Sequence, residues 1–336
     1  MYYTPSSKIL LRGLALLLAL VLTPRMMTAE EQAPKVPTPA LESGSVFIAS
    51  AEGISVFGRD GTMEFGSFVT EVVDGKPGPV EWDDMVYDGW KLPSGNYLCS
   101  SHRYVRELDE KGALLWEYRV AAPSEIKSCV PLPNGDVMTE DATPMELVHI
   151  TDQGRTEVKR ISVPTPPEAK EHDRYNLLRR TPQGTYLLAL RHDKAFVEVD
   201  EAGGERWRHP VPDLPIVAER LANGNTLMSW RGGLIEAAPD HTVVWELKAE
   251  EISDFNVNIV GGFHRFANGN TLIANSDWHY KEAGQNHVQL FEVNEEKEVV
   301  WTLTTDAFAG KKPGSLEPST GLVEHRIIGI QWLPAE

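Results

Sequence analysis

The chain has 336 residues, of which 49 are acidic and 32 are basic, so its formal net charge is −17 at pH 7. A surface this acidic repels nucleic acids and anionic membranes, and the composition therefore argues against nucleic-acid binding. At this length roughly three quarters of the unfolded surface can be buried, so a sizeable core is available.

The first 29 residues have the pattern of an export signal. Lys8 and Arg12 precede an apolar run, residues 14–22, that is too short to span a bilayer, and Ala29 offers a small residue for cleavage. The proline-rich residues that follow indicate a spacer. We therefore expect a signal peptide at 1–29, a Pro-rich linker at 30–42, and a mature protein that is periplasmic or secreted without membrane insertion.

From residue 43 onward one phrase recurs, in which an apolar strand ends in a glycine turn and a second strand follows at once. Its turn residues supply the positive φ that two-residue hairpins demand. Self-similarity of this kind indicates stacked supersecondary units, each too small to bury its own apolar face. The copies are LPSGNYLCSS at Leu92, LPNGDVMTED at Leu132, TPQGTYLLAL at Thr181, LANGNTLMSW at Leu221 and FANGNTLIAN at Phe266, with a degenerate SGSVFIAS at Ser43.

A second signal follows the copies, a turn with an aromatic residue four positions beyond it. Each unit is therefore predicted to be one four-stranded blade, and the aromatic residues are expected to pack between blades. The third copy departs from this pattern, because Val158 stands where an aromatic residue is expected. The aromatic residues are Phe65, Trp116, Trp207, Trp245 and Trp301.

The chain ends on IIGIQWLP, residues 327–334, which matches the opening strand of a repeat. Joining this strand to the first three strands closes a ring and leaves no open sheet edge. We therefore predict an all-β fold over residues 43–336, a six-bladed β-propeller of four-stranded antiparallel blades in which the C-terminal strand joins the N-terminal blade. We expect a monomer.

The two cysteines are predicted on neighbouring blades, Cys99 on the second strand of one and Cys129 on the first strand of the next. An oxidising compartment permits a disulfide between such a pair, but the Cα separation that a disulfide requires is narrow. Both a disulfide and two buried free thiols remain open.

Propeller topology places the glycine turns on one face, and the loops between strands two and three and between blades on the other. On that second face the sequence gathers histidine, arginine and tryptophan, which suit a carboxylate, a sulfate ester or an anionic sugar. We therefore expect a small anionic or carbohydrate ligand at this rim, while solvated loop residues paired with nearby acids remain the alternative. The candidate ligand-binding residues are His102, Arg103, Arg191, His192, Trp230, Arg231, His264, Trp278, His279 and His287. The innermost strands are expected to add Lys127, Arg179 and Arg220 to the same mouth.

Two long loops, 275–287 and 304–325, are predicted side by side on this face and favour a binding role. Their histidines, together with His264, raise a metal site as an alternative. No short ligand spacing such as HExxH accompanies them, so we expect no metal. A rigid platform for a protein partner is a further alternative.

The sequence carries no GxSxG elbow, no P-loop, no GxGxxG and no paired CxxC. Its acidic residues show no pattern that assigns a nucleophile, an acid or a base. We therefore expect no cofactor, and non-catalytic binding is the leading interpretation.

The repeated NGNTL turn and the D-x-x-G-x-x-x-W phrase, seen from Asp109 to Trp116, resemble the quinoprotein-like propeller superfamily with its PQQ-like repeats. They are especially similar to bacterial exported propellers grouped near the arylsulfotransferases, among which are proteins of unassigned function. The resemblance spans nearly the whole mature chain, and the motifs that carry it are scaffold motifs, which specify the blades. Arylsulfotransferases place histidines and an arginine in the central funnel, which implies such positions for His264, His192 and Arg191. As the alternative to binding, the resemblance implies a transferase or lyase acting on a sulfated or acidic aryl or sugar substrate.

Overall fold

A computed structural model describes residues 41–69, 72–73, 76–77, 80–151, 156–166, 168–276, 288–304 and 326–335. Six four-stranded antiparallel sheets form a ring, which confirms the predicted six-bladed β-propeller. The predicted signal peptide and most of the linker lie outside the described residues. Within the described part of the chain, no helix has the length and apolar character needed to cross a membrane.

The elements follow in chain order. Blade 1 begins with β1 (Gly44–Ser50), β2 (Gly53–Gly58) and β3 (Met63–Phe68), and a short ribbon of β4 (Val72–Val73) and β5 (Lys76–Pro77) follows. Blade 2 has β6 (Val86–Lys91), β7 (Tyr97–Ser101), β8 (Tyr104–Leu108) and β9 (Leu114–Arg119). Blade 3 has β10 (Cys129–Pro131), β11 (Val137–Ala142), β12 (Met145–Thr151) and β13 (Thr156–Ser162), followed by helix α1 (Glu171–Arg174). Blade 4 has β14 (Leu178–Arg180), β15 (Tyr186–Leu190), β16 (Ala195–Val199) and β17 (Glu205–Pro210). Blade 5 has β18 (Pro215–Arg220), β19 (Thr226–Trp230), β20 (Gly233–Ala237) and β21 (Val243–Lys248). Blade 6 has β22 (Ile259–Arg265), β23 (Thr271–Ser276), β24 (Val288–Val293) and β25 (Val299–Thr304), and β26 (Ile327–Pro334) completes blade 1. Single 3-10 turns occupy Trp82–Asp84 and Ala249–Glu251.

The innermost strands β26, β6, β10, β14, β18 and β22 contact one another in succession around the ring. Strand β26 pairs antiparallel with β1, from Gly44 opposite Pro334 to Ser50 opposite Ile327. The C-terminal strand therefore closes the N-terminal blade, as the sequence predicts. We call the face with the repeated glycine turns the Gly-turn face and the opposite one the loop face.

The repeated turns differ from the two-residue hairpins that the sequence predicts. In the copy at Leu221, the backbone nitrogen of Leu221 donates to the carbonyl of Asn225 at 2.8 Å, and that of Gly224 donates to Leu221 at 3.0 Å. This is a three-residue loop, a type I turn followed by a left-handed glycine. Gly224 has a φ of +87°, a conformation that costs glycine little and other residues more.

The tryptophans of the second signal pack between blades. Each of the four tryptophans is partly buried against an apolar cluster that includes residues of its own blade and of the next one. The Trp245 indole donates to the carbonyl of Glu295 at 3.0 Å, and the Trp301 indole donates to that of Arg59 at 3.2 Å, in each case across a blade boundary. Val158, which stands in place of the aromatic residue in blade 3, is 56% exposed and does not pack between blades in this way.

A buried ion pair fills the centre of the ring. Arg179 on β14 donates Nη1 to Asp88 Oδ2 at 2.7 Å and Nη2 to Asp88 Oδ1 at 3.0 Å, and the Ser128 hydroxyl donates to the same carboxylate. The Asp88 side chain is 0% exposed and that of Arg179 is 5% exposed. Gly329 on β26 leaves room for this pair, because a Cβ there would lie 2.8 Å from Asp88 Oδ1.

The cysteines lie on the strands that the sequence predicts, Cys99 on β7 and Cys129 on β10. Both are buried free thiols, and no disulfide joins them. Burial raises the pKa of Cys99 to about 12 and raises the pKa of Cys129 well above its ordinary value. Neither thiol is therefore a ready nucleophile.

Candidate functional site

The candidate site lies on the loop face, where the innermost strands begin. It gathers aromatic and polar side chains from strand β6 and from turns and loops of blades 2, 3 and 4 that are far apart in the sequence. Three of its residues offer donor atoms that all lie within 4.8 Å of one another. The loop-face cluster, as we define it, consists of Trp82, Tyr87, His102, Glu125, Lys127, His172 and Arg191.

His102 forms the turn between β7 and β8. Its ring stacks on the Trp82 indole with 4.2 Å between ring centroids and meets the edge of Tyr87 at 4.4 Å. The side chain is 0% exposed. Its Nδ1 lies 3.4 Å from Glu125 Oε2, and neither ring nitrogen has a hydrogen-bond partner among the described residues. Burial lowers the pKa of His102 to about 4, although Glu125 opposes the shift. The ring is therefore neutral near pH 7.

Glu125, in the loop between β9 and β10, joins the two histidines of the cluster. Its Oε2 lies 2.9 Å from His172 Nδ1 as well as 3.4 Å from His102 Nδ1. Burial raises the pKa of Glu125, but the two histidine rings beside Oε2 and the charge of Lys127 outweigh burial and hold that pKa well below its ordinary range. Because an ionised carboxylate only accepts hydrogen bonds, Nδ1 is the protonated nitrogen of His172.

Arg191, in the turn after β15, supplies a guanidinium whose contacts are long. Nη1 lies 3.3 Å from His172 Nε2 and 3.3 Å from Asn176 Oδ1, and Nη2 lies 3.5 Å from Asp173 Oδ1. Nε is buried and has no hydrogen-bond partner among the residues that the structure describes. Burial lowers the pKa of Arg191. The guanidinium is thus desolvated without a close carboxylate to satisfy it.

Lys127 lies beneath the cluster with a fully buried side chain. Its Nζ donates to the backbone carbonyls of His172 at 2.5 Å and Tyr175 at 3.0 Å, and lies 3.9 Å from Glu125 Oε2. Burial lowers the pKa of Lys127 well below its usual value, and the charge of Arg191 lowers it further. The amine therefore holds the backbone around α1 in place and so positions the His172 ring.

Two histidines and one carboxylate are a residue set that binds zinc or iron in other proteins. In this cluster nitrogen donors already occupy the space around these groups and oppose a metal ion, because the Arg191 guanidinium lies 3.3 Å from His172 Nε2 and Lys127 Nζ lies 3.9 Å from Glu125 Oε2. Arg191 donates to His172 Nε2 and thereby keeps the proton on Nδ1, the nitrogen that faces Glu125; ligation through Nδ1 would have to displace that proton. The arrangement favours an anion over a cation.

Of the predicted rim residues, His102 and Arg191 belong to the cluster and Arg103 supports it. The Arg103 guanidinium donates Nε to Asp83 Oδ1 at 2.9 Å and also donates to the carbonyl of Ser124. It therefore ties the 3-10 turn that carries Trp82 to the loop that carries Glu125. Its part is to position the cluster.

Three other predicted residues lie at the periphery of the loop face. His192 Nε2 is 3.8 Å from Glu168 Oε1, and the Arg231 guanidinium, with its side chain 47% exposed, is 3.3 Å from Asp213. Trp230 lines a separate depression beside β21. The structure does not bring them into the cluster.

The structure corrects the placement of His264, Arg179 and Arg220. All three line a cavity that opens on the Gly-turn face, at the end of the channel opposite the cluster. They occupy the final residues of β22, β14 and β18, next to the glycine turns. Lys127 precedes β10 and lies at the loop face as expected. Trp278, His279 and His287 lie outside the described residues.

The sequence reasoning missed His172 and Glu125, the residues that organise the cluster. They lie in successive connections between blades, Glu125 before β10 and His172 before β14. Propeller topology already places such connections on the loop face. The acidic and imidazole side chains in them were therefore the available sequence signal for these two residues. No spacing motif links them, because they meet only in the folded ring.

No family model matches the chain, and no curated protein matches it. Solved structures do resemble it. A protein of unknown function from Bacteroides caccae has 18% sequence identity, covers 87% of this chain and 99% of its own, and superposes with a TM-score of 0.70. Virginiamycin B lyase from Staphylococcus aureus has 14% identity, covers 77% of this chain and 80% of its own, and gives a TM-score of 0.52. A catalytically inactive histidine-to-alanine variant of that lyase, solved with quinupristin, gives 12% identity, 80% and 86% coverage, and a TM-score of 0.52.

These identities are too low to carry an activity or a substrate across. They agree with the ring of six antiparallel sheets that this chain forms. Together they establish the fold alone. The chain is a six-bladed β-propeller, and virginiamycin B lyase is a related propeller.

Proposed function

We propose that this propeller binds a small anionic ligand at the loop-face cluster, in the periplasm or outside the cell. The observation that carries the proposal is the state of Arg191. Its side chain is 15% exposed, its Nε has no hydrogen-bond partner among the described residues, and its nearest carboxylate oxygen is 3.5 Å away. A guanidinium is suited to planar, bidentate recognition of carboxylate, sulfate and phosphate groups.

The rest of the cluster suits an anion carried on an aromatic or sugar ring. His102 is neutral and fully buried, so its ring supports the Trp82 indole on which it stacks and brings no charge of its own to the site. Trp82, 41% exposed, offers an indole beside it. Aromatic faces commonly pack on rings, and polar groups near them set the orientation of the ligand.

Replacing Arg191 with methionine is expected to weaken anion binding by roughly 10- to 150-fold, because hydrogen bonds to charged groups contribute about 1.5–3 kcal/mol. The measurement is isothermal titration calorimetry of the mature protein with 4-nitrophenyl sulfate, glucuronate and inorganic phosphate, preceded by a thermal-shift screen. Arg231→Met is the matched control, since that arginine is half-exposed on the same face and paired with Asp213 at 3.3 Å. We expect it to change affinity by less than about threefold.

Equal loss in the two variants would mean that binding follows the general charge of the face and not the cluster. Unchanged affinity in Arg191→Met would place the ligand elsewhere. If no anion of the panel binds the wild-type protein, the proposal fails and a protein partner becomes the better reading of this face.

A second candidate is transferase or lyase chemistry at the same cluster, and the contact between Glu125 and His172 favours it. A carboxylate that accepts from Nδ1–H leaves Nε2 as the basic nitrogen and fixes the ring. Arg191, 3.3 Å from that nitrogen, suits charge on a sulfate or carboxylate oxygen. Among the structural neighbours, virginiamycin B lyase is a propeller enzyme for which the loss of one histidine is described as inactivating.

A further inference from the structure

The Gly-turn face has its own cavity, of about 930 Å³, at the other end of the central channel. Residues from all six blades line it, and most of them belong to the innermost strands and the glycine turns. Its size falls within the range of small-molecule sites. This face has no role among the expectations drawn from the sequence, and the anion proposed above does not use it.

The floor of this cavity holds a donor and an acceptor that do not reach each other. The two terminal nitrogens of Arg179 donate to Asp88, and its buried Nε has no hydrogen-bond partner within the described residues. The nearest Glu219 oxygen lies 3.8 Å from Nε, too far for a hydrogen bond. A hydroxyl group between them would accept from Arg179 and donate to Glu219, and a hydroxyl is the common group that does both.

The charges around the cavity balance and leave no excess for an ionic ligand. The lining has three arginines and three carboxylates, Arg179, Arg180, Arg220, Glu107, Asp136 and Glu219. Most are already engaged, as Arg179 is by Asp88, Arg220 by Glu198, and Asp136 by His149 at 2.8 Å. Burial lowers the pKa of His264 to about 4, so its ring is neutral. An uncharged, polar ligand fits this lining better than an anion.

Aromatic side chains provide the apolar part of the wall. Trp90, Phe263 and Trp332 come from blades 2, 6 and 1 and line the cavity together with prolines of the glycine turns. Flat apolar walls with a few convergent donors and acceptors suit a pyranose, whose C–H faces pack on rings and whose hydroxyls lie at its rim.

We propose that the cavity on the Gly-turn face binds a neutral saccharide, with one hydroxyl between Arg179 Nε and Glu219. This is a second site, independent of the anion site at the loop face. The ion pair of Asp88 and Arg179 lies between the two.

The test is calorimetric titration of the full mature protein with maltose, cellobiose, lactose and diacetylchitobiose, each up to about 10 mM, with glucuronate as the charged comparison. Glu219→Ala removes the acceptor and is expected to weaken saccharide binding at least about tenfold. Ser94→Trp adds bulk at an exposed turn position that lines the cavity, leaves the core untouched and is expected to block entry. Arg191→Met is expected to retain saccharide binding while it loses the anion.

Absence of binding by all four saccharides would overturn the proposal and leave the anion site unaffected. Saccharide binding that survives both Glu219→Ala and Ser94→Trp but disappears in Arg191→Met would also overturn it, because the sugar would then lie at the loop face. Loss of saccharide binding in Glu219→Ala and Ser94→Trp, with binding retained in Arg191→Met, supports the site. If Glu219→Ala does not fold, the result for Ser94→Trp decides between the outcomes.

Discussion

Replacing Asp88 with asparagine is expected to lower the free energy of unfolding by about 3–5 kcal/mol, because it leaves the Arg179 charge buried without its partner. Both side chains are more than nine-tenths buried, and their two hydrogen bonds measure 2.7 and 3.0 Å. The measurement is equilibrium unfolding in urea followed by tryptophan fluorescence, with the slope of the transition checked for constancy.

A surface pair of similar geometry provides the control. Arg208 Nη2 lies 2.8 Å from Glu205 Oε2, but the two side chains are 38% and 45% exposed. Glu205→Gln should therefore cost no more than about 1 kcal/mol. The double variant Asp88→Asn with Arg179→Met should recover much of the loss, since it removes the stranded charge. Equal losses for Asp88→Asn and Glu205→Gln would show that the central pair is not what stabilises the ring.

The repeat carried most of the information about the fold. One glycine turn and one aromatic position per unit predict the blade, and the final strand, residues 327–334, predicts how the ring closes. These signals are local, so each can be read along a single stretch of sequence. The predicted length of the turn, two residues, was wrong. The Asn-Gly pair also fits a three-residue loop in which the glycine takes the left-handed position, as Gly224 does.

Positions along the innermost strands were predicted less well. Charged residues of these strands were all expected at one mouth, but a strand advances about 3.3 Å per residue and crosses the ring from face to face. Tyr87 therefore belongs to the loop-face cluster, Asp88 lies in the centre and Trp90 lines the Gly-turn cavity. The same counting places His264, two residues before the copy at Phe266, on the Gly-turn face.

The loop-face cluster depends on contacts that no local pattern records. Glu125 and His172 belong to different connections between blades and meet across the boundary between blades 3 and 4. Their protonation states follow from burial and from the neighbouring Lys127 and Arg191, which are properties of the folded ring. His102 and Arg191 could be predicted as candidates from their residue type and loop position, but their partners are set only by the folded ring.

Replacing His172 with glutamine is expected to lower kcat/KM by about 10²- to 10⁴-fold in the transferase or lyase candidate, the usual contribution of a positioned acid or base. The reason is that Nε2 of His172 is the basic nitrogen of the cluster, with Nδ1–H held by Glu125 at 2.9 Å. The measurement is release of nitrophenolate from 4-nitrophenyl sulfate with a phenol as acceptor. Anion affinity should stay within a few fold of the wild type, since Arg191 remains.

The pH profile separates a base from a merely structural residue. Burial lowers the pKa of His172 below its ordinary 6.5, and the hydrogen bond to Glu125 raises it in part. The basic form therefore persists below pH 6.5, so turnover should stay level through that pH and fall only at more acidic values. Glu125→Gln should lower kcat and move the acidic fall to still lower pH, because the raising effect is gone. A wild-type profile that falls with a midpoint above 6.5 would contradict His172 as the base, and a wild-type protein that releases no nitrophenolate would contradict sulfate transfer at the cluster.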